Sequence, residues 1–412
     1  MFANHKRDAY GVYLILSGAT ALFFRLVFTV NMVYQVTTVD LNALQLVLVG
    51  TTLEITIFLF EIPTGIVADV YSRRLSIIIG MLLIGCGFVV EGLFPVFEAV
   101  LLAQVLWGLG YTFTSGATQA WIADEVGEDR AGDAFLAGSQ AGRICGLVAI
   151  PLAVGLAALN IRLPIVLSGL LFWGLGLFLA LAMPETGFTP TPPNERDSWR
   201  TMFQTFKAGW SLVRGSSVLL GFAVLSVFLG LYSEGLDRLW TAHVLEDYTL
   251  PNVEPVVFVG AIGAVSTLLS IGVTEVVRRR TDSTDQRALL RLLFALNAVM
   301  VASIFVFALA QPLSVAIVAL WCFQTVRGTG WPLLQAWVTP HIESRVRATV
   351  FSMTGQIDAI SQVAGGPFIG WIGTTASIRA AIVTSGIILS PVLAVFAYLL
   401  RQTQRALRPA LE

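Results

Sequence analysis

The chain has 412 residues, 56% of them hydrophobic and only 12% charged, with a net charge of −1. Soluble domains carry about 25% charged residues, so a soluble enzyme is excluded. A chain without excess positive charge also lacks the basic surface that would neutralise nucleic-acid phosphates.

The start, MFANHKRDAY, is polar, and the apolar run after it is too long for the h-region of a signal peptide. Apolar runs then follow near 10–35, 43–68, 75–95, 98–122, 133–158, 162–183, 215–240, 255–277, 289–310, 312–338, 348–372 and 377–400. Each is long enough to cross hydrocarbon as a helix, which takes about 20 residues. Twelve such runs return both termini to one side and leave no room for a sizeable soluble domain. Cys86, Cys145 and Cys322 fall inside apolar runs and the three histidines are scattered, so neither a disulfide framework nor a metal site is expected.

Positive charge sets the orientation. With the N-terminus in the cytoplasm, Lys6, Arg7, Arg73, Arg74, Arg196, Arg200, Lys207, Arg214, Arg278, Arg279, Arg280, Arg401, Arg405 and Arg408 are cytoplasmic. Arg162, Arg238 and Arg379 stand near outside ends. The longest connection, 184–214, opens with a Pro- and Thr-rich stretch that reads as extended linker. Its second part places Trp199, Met202, Phe203, Phe206 and Trp210 at helical spacing, with Arg200, Lys207 and Arg214 elsewhere on the turn. That pattern predicts an amphipathic helix on the inner leaflet. The chain therefore divides into a six-helix bundle at 1–183, the linker 184–214, a second bundle at 215–400 and a tail at 401–412. The halves carry a repeat: Gln119-Ala120-Trp121 aligns with Gln335-Ala336-Trp337, and the same shift pairs Phe135 with Phe351, Gln140 with Gln356 and Pro151 with Pro367.

Between spans two and three the chain reads Pro63-Thr-Gly65-Ile-Val-Ala-Asp69-Val-Tyr-Ser-Arg73-Arg74. This resembles the signature loop of the major facilitator superfamily, Gly-x-x-x-Asp-Arg-x-Gly-Arg-Arg. Gly65, Asp69, Arg73 and Arg74 match, whereas Val70 stands for the first Arg and Ser72 for a Gly. Gln104-Val-Leu-Trp107-Gly108-Leu-Gly110 is similar to a pattern of the superfamily's drug:proton antiporters, with Gln104 where an Arg is usual. Gly146 to Gly155 and Gly366-Pro367-Phe-Ile-Gly370 resemble the antiporter Gly/Pro motif. The resemblance implies twelve transmembrane helices in two six-helix bundles related by a pseudo-two-fold axis. It implies alternating access across a bacterial-type cytoplasmic membrane, with Gly65, Asp69, Arg73 and Arg74 as a cytoplasmic latch. No Walker A motif is present, so ATP hydrolysis by that route is not expected.

Ionisable groups deep in a span need a partner or a task. Counting depth at about 1.5 Å per residue puts Arg25 level with Glu54, and Arg327 level with Asp358. Two ion pairs are expected there, either as static braces or as proton-coupling groups. In the second case Glu54 and Asp358 carry the proton, because a dry carboxylate parted from its arginine favours the neutral form. Arg143 has no partner by this count, and Glu61 falls closer to the latch. Glu234, Asp237 and Arg238, with Trp240, are expected in a wet outer vestibule or gate, and Glu234, Asp237 and Arg143 are also candidates to face the substrate cavity.

In the superfamily, spans one, four, seven and ten line the central cavity. Here they carry Asn31, Tyr34, Gln35, Trp107, Tyr111, Tyr232, Trp321 and Trp331. Aromatic surface with few charges suits a lipophilic small molecule. The expected function is proton-coupled efflux of such compounds by a monomer, whose partners are the substrate, protons and the lipid bilayer, with no cofactor. A proton-coupled metabolite uptake symporter and a non-transporting receptor or scaffold are the alternatives.

Overall fold

A computed structural model describes residues 2–190, 192, 199–281, 285–342 and 347–407; Arg196 and Arg408 lie outside them. The side chains of Lys6, Arg7, Trp199, Met202, Phe203 and Arg405 are likewise outside what is described. Among the described residues the structure is helical, without strands. The elements in order are α1 (Phe2–Phe28), α2 (Asn31–Thr37), α3 (Ala43–Val70), α4 (Arg73–Leu93), α5 (Phe97–Thr114), α6 (Ala117–Val126), α7 (Glu128–Leu159) and α8 (Leu163–Ala182). Then come α9 (Trp199–Arg214), α10 (Ser217–Glu246), α11 (Pro255–Arg280), α12 (Gln286–Leu309), α13 (Leu313–Val338), α14 (Arg347–Thr375), α15 (Ile378–Leu389) and α16 (Pro391–Leu407). Among the described residues, ten helical segments are long and apolar enough to cross a membrane. Helices α5 and α14 stand where the two other spans are expected.

Three expected spans are interrupted. The run 98–122 is α5 plus α6, because Gly116 takes φ +71°, a backbone region that glycine enters without steric cost. The run 10–35 breaks between α1 and α2, where the Thr29 hydroxyl donates to the Arg25 carbonyl at 2.6 Å. The last run breaks at Ser390, before Pro391, which has no N–H to continue the ladder. Elsewhere side chains fix the starts: Ser72 accepts from the Leu75 amide at the head of α4, and Asp285 from the Arg287 and Ala288 amides at the head of α12. In α9, Lys207 and Arg214 are exposed while Phe206 and Trp210 are half-buried, as an amphipathic helix requires.

The chain forms two compact units. The first comprises Met1–Leu41, Thr52–Thr201 and Glu254–Gly260; the second comprises Asn42–Thr51, Met202–Val253 and Ala261–Glu412. In the first, α4 and α5 touch through glycine. A Cβ on Gly80 would lie 2.6 Å from the Gly110 carbonyl, and one on Gly110 would lie 2.6 Å from that of Gly80. Small residues at such a crossing let backbones approach where no hydrophobic force drives helices together. Around this crossing Phe24, Phe88, Trp107 and Phe172 form an aromatic core with ring centroids 5.0–6.2 Å apart. In the second unit Phe222, Tyr232, Phe307 and Phe396 are fully buried.

Candidate functional site

The second unit contains a cavity of about 650 Å³ between α10, α12, α13, α14 and α16. Helical periodicity builds it. Tyr232, Ser233, Asp237 and Trp240 lie along one face of α10, and Phe323, Gln324, Arg327 and Trp331 along one face of α13. Asn297 and Met300 enter from α12, and Asp358 and Gln362, one turn apart, from α14. Three lining side chains are acidic or basic: Asp237, Arg327 and Asp358. Arg327 grips Asp237 in a two-pronged pair, Nη1 to Oδ1 and Nη2 to Oδ2, the second at 2.8 Å. The guanidinium also lies 5.8 Å from the Tyr232 ring centre and 5.9 Å from that of Phe323. Asp358 Oδ2 accepts from Gln362 Nε2 at 2.8 Å. One basic and two acidic side chains thus face a space otherwise lined by aliphatic, aromatic and amide groups.

This arrangement corrects the sequence-based pairing. Arg327 is joined to Asp237, not to Asp358, although all three share the cavity. Asp237 accordingly stands in the cavity wall. Glu234, one turn before Arg238 on α10, is buried and accepts from Arg238 Nε at 2.9 Å. Trp331 is 44% exposed and lines the cavity, whereas Trp321 donates from Nε1 to the Ile262 carbonyl at 3.2 Å.

In the first unit, Arg25 is exposed. Arg143 and Glu61 are also exposed. Tyr34 and Gln35, expected to line a cavity, are instead fully buried against α4. The Tyr34 hydroxyl donates to the Glu91 carbonyl and Gln35 Nε2 to Glu91 Oε1, both at 2.7 Å. Asn31 is buried nearby on α2. Trp107 packs in the aromatic core and donates from Nε1 to Gln104 at 2.8 Å, while Tyr111 is 42% exposed. The buried carboxyl of Glu91 was not anticipated. Its glycine- and valine-rich surroundings in the sequence offer no signal except the charge itself.

The family model described as Major Facilitator Superfamily matches residues 14–357. The chain belongs to the Major Facilitator Superfamily. An uncharacterized MFS-type transporter, YxaM of Bacillus subtilis (strain 168), is 22% identical over 358 residues, spanning 85% of this chain and 86% of that protein. The crystal structure of the nucleoside transporter NupG superposes with a TM-score of 0.71 at 16% identity, covering 96% of this chain and 98% of that one. A bacterial homologue of the human lysosomal transporter Spinster, inward-facing and unoccupied, gives 0.68 at 16% identity, covering 96% and 97%. A POT family transporter in complex with 5-aminolevulinic acid gives 0.71 at 11% identity, covering 95% and 96%. The architecture is therefore the major facilitator fold. The protein is a multi-pass membrane protein and a secondary transporter of small molecules, not an enzyme.

The superfamily's signature loop joins α3 to α4, and its two arginines are engaged within the first unit. Arg73 pairs with Asp124 of α6 and lies 5.7 Å from the ring centre of Phe188. Arg74 donates through Nη2 to the Ala180 carbonyl at 2.6 Å and through its amide to Glu185 at 2.8 Å. Ser72, which replaces the usual glycine, donates to Glu185 at 2.7 Å while capping α4. Glu125 is buried and accepts from the Thr186 hydroxyl and the Gly187 amide, each at 2.8 Å. Trp121 Nε1 donates to the Pro184 carbonyl at 2.7 Å. The stretch 184–188, read from sequence as extended linker, is thereby strapped to α4 and α6. Asp69 and Gly65 are half-buried at the end of α3. The acidic pair Asp124-Glu125 shows in the sequence only as charge just past the inner end of span four; the structure gives Asp124 to Arg73 and Glu125 to the stretch 184–188.

Proposed function

We propose that this transporter expels lipophilic, drug-like small molecules across a bacterial-type cytoplasmic membrane in exchange for protons. The working unit is a monomer with both termini in the cytoplasm. Its halves, 1–183 and 215–400, alternate access about the linker 184–214. The observation that carries this reading is the cavity. Tyr232, Trp240, Phe323 and Trp331 supply aromatic surface, and Asp358 supplies a carboxylate outside the Arg327–Asp237 pair. Asp358 is the proton carrier in this account, with Glu54 the other candidate.

A second reading, proton-coupled uptake of a polar metabolite, is favoured by the amides of Asn297, Gln324 and Gln362 in the same wall. The sign of the coupling separates the two. In liposomes holding the purified protein, a panel of lipophilic cations and metabolites is offered under an imposed pH gradient. Exchange predicts that a lipophilic compound accumulates when the lumen is acidic. Symport predicts accumulation of a polar one when the outside is acidic.

The signature loop works as a latch in this scheme. Asp69→Asn removes a contact made in one conformer and leaves core packing alone. Turnover is expected to fall about tenfold, the equivalent of ~1.4 kcal/mol, at matched expression and with normal membrane insertion. Wild-type turnover in this variant would remove the latch from the mechanism.

A further inference from the structure

One end of the second unit carries a charge pattern that the cavity does not use. α9 ends just before α10 begins, and a short turn joins the end of α11 to the head of α12, so the four termini lie at the same end of this unit. There Lys207, Arg214, Arg278, Arg279, Arg280 and Arg291 are exposed. Among the described residues the carboxylates at this end are Glu275 and Asp285, and both are committed. Glu275 accepts from Arg278 Nε and Nη2 at 2.8 Å and from Arg279 Nε at 2.5 Å. Asp285 accepts from the first amides of α12. A bias of arginine towards one side follows from membrane orientation alone, but it does not explain why the first unit differs. There Arg73 and Arg74 turn inward to Asp124 and the Ala180 carbonyl, and the exposed charges beside Arg130 are Glu128, Asp129 and Asp133.

The arginines of α11 and α12 also cap exposed apolar faces. On α11 the positions Leu268, Ile271, Glu275 and Arg279 recur at three- and four-residue steps, so they share one face. Leu268 and Ile271 are exposed there, on the side opposite Ser270 and Thr274, which meet α13. On α12 the positions Arg291, Ala295, Val299 and Val306 share a face in the same way, and all four are exposed. Each helix thus presents hydrocarbon along its length and a guanidinium at its end. A dissolved anion would use the second feature only, whereas a phospholipid with a net negative headgroup uses both. We propose that this end of the second unit binds anionic phospholipid, with the acyl chains along α11 and α12 and the headgroup among the arginines. The leaflet is the inner one, a clause that rests on the orientation proposed above. The half of α9 from Met202 onwards adds Lys207 and Arg214 to the same surface and brings no acidic residue. Each Lys or Arg at an anionic surface raises affinity about fivefold.

The test needs neither a substrate nor a gradient, so its failure is separate from a failure of the transport reading. Purified full-length protein in detergent is mixed with equal amounts of phosphatidylglycerol and phosphatidylcholine of matched acyl chains. The lipid that stays with the protein through gel filtration is then quantified. Wild type is expected to retain phosphatidylglycerol in preference. That preference weakens between about 0.1 M and 1 M salt, as the screening length falls from about 10 Å to about 3 Å. Arg279→Gln/Arg280→Gln/Arg291→Gln lowers the preference at least about fivefold, while Arg130→Gln in the first unit leaves it unchanged. If the triple variant does not fold, Lys207→Gln/Arg214→Gln on α9 makes the same comparison and is expected to show the same loss. Equal retention of the two lipids by wild type, or an unaltered preference in the folded variant, overturns the proposal. So does displacement of phosphatidylglycerol by an equal concentration of soluble glycerol phosphate, which would mean that the apolar faces take no part.

Discussion

Arg327→Gln is expected to abolish concentrative transport and to lower stability, and Asp237→Asn to do the same. Each variant strands one charge of a two-pronged pair in the wall of the cavity. The side chains are 37% and 42% exposed to the cavity, so water moderates the loss. The expected cost in folding stability is about 1–3 kcal/mol, between an exposed ion pair and a fully buried one. The effect on transport is larger, because Arg327 also stacks on Tyr232 and Phe323 and shares the cavity with Asp358. Arg327→Gln/Asp237→Asn leaves no stranded charge, so its melting temperature returns most of the way to wild type. Transport does not return, since the positive charge beside Asp358 is still missing. A double variant that moves substrate against its gradient would reduce the pair to a static brace.

Asp358→Asn has a different signature. The amide mimics a permanently protonated carboxyl and keeps a partner for Gln362. Gradient-driven accumulation is expected to fall at least about 100-fold, a barrier difference of ~2.7 kcal/mol or more. Substrate exchange down its own gradient persists, because the cavity and the Arg327–Asp237 pair are intact. Loss of exchange together with accumulation would make Asp358 a substrate ligand or a folding determinant. Glu54→Gln is the paired measurement: if accumulation fails there while exchange survives, and Asp358→Asn stays coupled, the proton site moves to α3.

The helical membrane fold was legible because hydropathy runs and arginine placement are one-dimensional signals. Partners were not, because a count of depth along a span gives height and says nothing of rotation about the helix axis. Arg327 and Asp358 are level by that count, yet the Arg327 side chain reaches Asp237 on α10. The same limit explains Tyr34 and Gln35. Their span was identified as cavity-lining, but their faces turn to Glu91. The interruption of span four depends on one positive φ at Gly116, which an apolar run conceals. For the strap at 184–188, proline and threonine suggested an open linker, while Glu125 and Glu185 supply the acceptors that fix it.

The coupling of substrate to proton is tested most directly by a pH indicator trapped inside liposomes that hold the purified protein. With no gradient imposed at the start, a lipophilic substrate is added outside. Exchange predicts that the lumen turns alkaline as substrate enters, in wild type and not in Asp358→Asn. Substrate entry with an unchanged lumen, or with a lumen that turns acidic, would contradict the account.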